Sequence, residues 1–148
     1  IQARPGPLVD RRGIGAYCHL RVRVFGMVES KIMTSPAAPE KRTEVAGKDE
    51  MALKMVPDRS HKAQAPEFLK PTNRWATQAE LTKAFEDSRK ATMDYIRTTN
   101  DDLRDHFGPH PLLGSLDAYE WVLLISAHSE RHTKQIEEVK ADPNFPKE

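Results

Sequence analysis

Proline placement constrains this chain more than any other feature. Pro36, Pro39, Pro57, Pro66 and Pro71 punctuate residues 34–73. Each removes a backbone donor, so neither a long helix nor a central strand is expected across that stretch. Gly108-Pro109 and Pro111 make a second break, and Asp142-Pro143 a third. Three windows lie between or before these breaks, and all three carry helical period.

The first window, residues 14–33, repeats Ile14, Cys18, Val22, Phe25 and Ile32 at spacings close to three and four, while Gly13, Gly15 and Gly26 weaken it. The second, residues 77–105, opens on Thr77-Gln78-Ala79-Glu80, a capping box in which the hydroxyl and the carboxylate each satisfy a free backbone donor. Leu81, Phe85, Met93, Ile96 and Leu103 form its expected buried stripe, and Gly108-Pro109 its expected stop. The third, residues 116–140, can be capped by Ser115 or Asp117. Its first half, DAYEWVLLISA, is apolar nearly all round, as in a helix buried in the middle of a bundle, and its second half turns charged.

No hairpin signal, internal repeat or alternating strand pattern stands out, so the expected class is all-α. Residues 34–73 are expected to form a long proline-rich loop holding at most a short helix near residues 51–56. Three long antiparallel helices leave an open groove, whereas four close around a core. With a glycine-broken first window and a chain that begins at Ile1, the expectation is one domain over residues 1–148 that lacks its first helix. The apolar face so uncovered would favour a homodimer.

A net charge of +1 gives no cationic excess for neutralising phosphates, which argues against nucleic acid as partner. No apolar run approaches the roughly 18 residues that a membrane-spanning helix needs. The single cysteine, Cys18, excludes an internal disulfide and fits a reducing compartment, so a cytoplasmic location is expected. The Arg-rich, acid-poor opening has the composition of an organelle transit peptide, a minor alternative.

The third window also carries the chemistry. His128 and His132 lie four apart, one turn above each other on one helix face, and they continue the buried stripe. Two imidazoles so placed can hold one divalent ion at about 2.0–2.1 Å each, with a third ligand supplied by another element. The other reading of the bare spacing is an accidental pair, each ring satisfied by a hydrogen bond. Ser129 follows His128 where a zinc peptidase of the H-E-x-x-H kind places its Glu, which argues against that class.

The segment LGSLDAYEWVLLISAHSERHTKQIEEVKADPNFP resembles the last helix of the DinB/YfiT-like superfamily. VPDRSHKAQAPEFLKPTNRWATQAELTKAF and TTNDDLRDHF are similar to the loop and third helix of that family, and the likeness extends from about Phe25 to Pro146. The resemblance implies an up-and-down helical bundle and a divalent ion, zinc or nickel, held by three histidines. His128 and His132 match two of them. In IGAYCHLRVRVFGMV, which resembles the family's second helix, His19 is the only match for the third. Phe25 follows His19 about three residues early there, and Arg21 and Arg23 replace an expected acid. A loss of three residues turns a helix by about 60°. His61 or a carboxylate is the fallback ligand.

The resemblance further implies metal-dependent chemistry on a small-molecule substrate, either hydrolysis or transfer using a low-molecular-weight thiol. The rival expectation is a non-catalytic helical bundle that works by association, with a structural ion or none. His106 and His110 flank Gly108-Pro109 and are expected in a solvated loop, Trp75 as a plug beneath the long loop, and Tyr119 and Trp121 in the core. Arg89 is expected either to hold an anion or to pair with Glu86 or Asp87.

Overall fold

The structure, a computed structural model, describes residues 26–60 and 75–145. Residues 14–25 of the first expected helix, with His19, lie outside the described residues, as does His61. Within them the chain is mostly helical. A π-helical turn (Val28–Ile32) and a 3-10 turn (Pro39–Val45) precede α1 (Lys48–Met55) and α2 (Gln78–Thr98). A short antiparallel hairpin, β1 (Phe107–His110) and β2 (Gly114–Asp117), leads without a linker into α3 (Ala118–Lys140).

The described part of the proline-rich stretch, residues 34–60, is thus more structured than expected. Pro39 starts the 3-10 turn at a position where its missing donor costs nothing, and α1 fits between Gly47 and Pro57. The capping box of α2 forms as read, with Glu80 N donating to Thr77 Oγ1 and Thr77 N to Glu80 Oε2. However, α2 stops at Thr98, well short of Gly108-Pro109. Beyond it short polar side chains capture the backbone: Asp101 N donates to Thr99 Oγ1 and Arg104 N to Asp102 Oδ1, bonds that compete with helix continuation. The buried side of α2 also has a different phase, with Leu81 and Thr92 buried while Met93 and Ile96 are exposed.

The hairpin corrects the expectation of no strands. Register pairs His110 with Gly114, leaving Pro111, Leu112 and Leu113 as a three-residue loop, and Gly114 takes φ +73°, a left-handed value that other residues resist. Lys48 of α1 clamps the loop by donating to the carbonyls of Leu113 and Ser115 at 3.0 and 2.7 Å. On the inner side Gly108 lies against the core, and its carbonyl accepts from Trp121 Nε1 at 3.3 Å. Val28, Ile32, Ala52, Leu116, Ala118, Trp121 and Leu124 form one buried cluster, so α3, α1, the hairpin and the π-helical turn share a core.

Asp117 caps α3 in a second capping box, receiving Glu120 N at 2.7 Å while its own N–H donates to Glu120 Oε2 at 2.9 Å. Arg104 donates to Asp117 and, through both terminal nitrogens, to Asp49, with the Tyr119 ring 3.9 Å from its guanidinium carbon. Glu120 is 0% exposed, and its other oxygen, Oε1, is buried with no partner among the described residues. Burial pushes its carboxyl up to about 7, and the neighbouring Asp117 and Asp49 charges push the same way.

Two tests follow from this packing. A Cβ at Gly108 would meet the Ile32 side chain at 2.8 Å, so Gly108→Ala should destabilise the fold by about 1–3 kcal/mol in urea unfolding. Glu120 binds its proton more tightly folded than unfolded. Its contribution is therefore full below pH 4.5 and is lost as pH rises through about 7. Glu120→Gln should remove that decline and exceed the wild type by about 2–3 kcal/mol at pH 8, seen as a difference between the two stability–pH curves.

Candidate metal site

Helix α3 builds the site because its buried stripe continues into its second half. Trp121, Leu124 and Ile125 are buried, and one turn later His128 and His132 are half-buried. Their rings stack with centroids 6.3 Å apart and planes inclined at 29°. The pair expected from sequence is therefore present on the inward side of the helix rather than diverging into solvent.

Hydrogen bonds decide where each ring keeps its proton. His128 Nδ1 lies 3.2 Å from the Leu124 carbonyl, which can only accept, so Nδ1 carries the proton and the lone pair sits on Nε2. His132 Nδ1 lies 3.0 Å from Gln135 Oε1 and has the same arrangement. Both rings thus offer the nitrogen that a cation uses, with the other nitrogen held by a supporting acceptor.

Electrostatics keep both rings neutral. Burial drives the His128 pKa down to about 4, aided by repulsion from His132, His110 and Arg131. Burial also lowers that of His132, with Arg131 and Arg59 contributing. These two arginines pin the segment after α1 to the second half of α3. Arg131 donates to the carbonyls of Val56 and Asp58, and Arg59 donates two hydrogen bonds to the Glu138 carboxylate at 3.1 and 2.9 Å.

The hairpin adds a histidine that sequence reading left in solvent. His110 is half-buried, with its ring 5.1 Å from that of Trp121 and inclined at 55°. His106 is drawn in as well, donating from Nδ1 to the Ser35 carbonyl at 2.8 Å. The signal for both was the Pro111-Leu112-Leu113-Gly114 turn, three loop residues closed by a glycine in the left-handed position. Among the described residues no three or more His, Cys, Asp or Glu side chains converge as a set that could hold an ion. Nor is any helix among them long and apolar enough to cross a membrane. Trp75 is half-buried and Tyr119 is 38% exposed, so only Trp121 of the two α3 aromatics lies in the core.

The sequence model of the DinB superfamily matches residues 24–136, and this chain belongs to that superfamily. A similar curated protein is the uncharacterized protein YuaE of Bacillus subtilis (strain 168), 25% identical over 92 residues, which make up 62% of this chain and 57% of YuaE. The chain thus spans a little over half the length of that relative. No solved structure matches it.

Because the folded pKa of His128 lies below the unfolded value, its contribution to stability is present above pH 6.5 and is lost as pH falls through about 4. In chelator, wild type should lose roughly 1–3 kcal/mol over that range relative to His128→Leu, partial exposure holding the effect below the full shift. Glu120 acts in the opposite sense over an overlapping range, so each effect is read as a difference from its own variant.

Proposed function

We propose that this protein is a divalent-metal-binding member of the DinB superfamily in which His128 and His132 hold zinc or nickel through Nε2. His19, outside the described residues, is the third ligand, and a helical bundle of the DinB type completes the surroundings. The matching protonation pattern of the two rings supports this reading most directly. The two rings stack on one helix face, and an acceptor at each Nδ1 puts the lone pair on Nε2, the nitrogen a cation would use.

The donor chemistry suits such an ion. Neutral imidazoles favour zinc, nickel and similar borderline cations; burial keeps His128 neutral down to about pH 4 and lowers the pKa of His132 as well. When bound, the ion would supply Lewis acidity, for hydrolysis or for transfer with a low-molecular-weight thiol on a small-molecule substrate. The chain's own part is to fix the two rings through Leu124 and Gln135. Arg59 and Arg131 hold the post-α1 segment against the second half of α3. The single Cys18 agrees with a cytoplasmic setting.

A second reading is a non-catalytic bundle that acts by association, alone or as a homodimer. It draws on the lack of a third converging donor among the described residues. Metal analysis separates the two. The purified protein should carry close to one zinc or nickel per chain. His132→Ala should weaken binding by more than the roughly 10–100-fold that loss of a supporting partner costs. Metal-free protein whose melting is indifferent to chelator would establish the non-catalytic reading.

A further inference from the structure

We infer that His110 is the histidine of this site that does not ligate the ion and instead donates a hydrogen bond, from Nε2–H, to a carboxylate or carbonyl oxygen of the substrate. The inference deepens the metal-site reading and rests on it.

Its basis is a proton placement opposite to that of the helical pair. The backbone N–H groups of Leu112 and Leu113 both point at His110 Nδ1, at 3.2 and 3.1 Å. A backbone N–H can only donate, so Nδ1 is an acceptor and the proton of the neutral ring is on Nε2. Ligation through that nitrogen would require an imidazolate, whereas His128 and His132 need to lose nothing. His110 is therefore the wrong histidine for a cation and the right one for an oxygen lone pair.

Its placement suits a substrate-holding role. Trp121, against which its ring packs, lies two helical turns before His128 on nearly the same face of α3. A charge on His110 would oppose protonation of His128. The ring is also held stiffly. It belongs to a paired strand, its Nδ1 is tied into the hairpin loop, and the loop is clamped by Lys48. A donor fixed in advance loses little freedom when it binds. Arg59 and Arg131 act electrostatically on His132, which favours an anionic oxygen over a neutral one.

Imidazole nitrogen NMR on the intact chain tests this, with zinc added first and sodium acetate second as the carboxylate probe. Zinc should shift the ring nitrogens of His128 and His132 and leave His110 protonated on Nε2. Acetate should then shift His110. His110→Asn places an amide oxygen near Nδ1, keeping the acceptor for Leu112 and Leu113 but removing the distal donor. It should melt like the wild type and bind acetate about tenfold or more weakly, followed at the His128 and His132 signals. His110→Gln, with an amide nitrogen near the Nε2 position, should melt lower and keep most of the acetate affinity.

A zinc-induced loss of the His110 Nε2 proton would make it a ligand and overturn the inference, as would undiminished acetate binding in His110→Asn. Equal losses of affinity in the two variants, tracking their melting, would reduce His110 to a turn cap and overturn it too. If zinc moves none of the three rings, the metal reading fails by itself. Acetate added to the metal-free protein then decides: a shifted His110 supports the donor role and an unmoved one overturns it.

Discussion

Asp117 ends the hairpin and begins the long helix, and the rest of the described structure takes its geometry from how that carboxylate is held. It is 1% exposed, a position where an unpaired charge would cost several kcal/mol. The free N–H at the start of α3 and the Arg104 guanidinium offset that cost from two sides. Arg104 is fixed in turn by Asp49 at the start of α1, so one ion network joins α1, the hairpin and α3. Since β2 runs directly into α3, the pairing of Phe107 with Asp117 sets the rotation of the helix. That rotation turns Trp121 toward Gly108 and His110, and on the same face, two turns later, it turns His128 inward.

Within that frame three histidines acquire different chemistry from ordinary backbone and amide groups. A carbonyl one turn back on a helix is an acceptor, and it forces the proton of His128 onto Nδ1. Successive N–H groups in a tight loop are donors, and they force the proton of His110 onto Nε2. The same side chain thus becomes an electron-pair donor on a helix and a hydrogen-bond donor in a turn. Burial then holds all three neutral by penalising their charged forms.

The parts of this arrangement that depend on local pattern were legible in the residues alone. Thr77 and Glu80, three apart, fixed the start of α2. Asp117 was one of two candidate caps for α3, and the four-residue spacing of His128 and His132 put them on one face. What depended on distant partners was not legible. The early end of α2 arises from Thr99 and Asp102 side chains accepting from nearby backbone, Asp102 also from Arg42, and a helical stripe that runs on to Leu103 cannot reveal it. The hairpin was missed because Gly108, Pro109 and Pro111 read as helix breakers. Their strand character comes from Gly108 lying against Ile32 and Trp121, contacts made across the fold. His110 was misassigned to solvent for the same reason, since it takes its shelter from Trp121.

Charge along α3 completes the argument about what the inward face can accept. Burial raises the acid at its start, Glu120, to about 7 and lowers the base at its middle, His128, to about 4. Both shifts reduce charge near neutral pH, and the buried Asp117 is balanced by Arg104. Among the described residues, the charges of Arg131 and Arg59 act on His132. Glu138 offsets one of them, Arg59, while Arg131 directs a nitrogen to backbone carbonyls. On the proposed metal reading, a dication held there by neutral nitrogens would keep most of its charge. An anionic group would then be stabilised by that charge, by the arginine field and by the proposed His110 donor. Under that proposal, the electrostatics of the described residues would favour a carboxylate-bearing substrate over a cationic one.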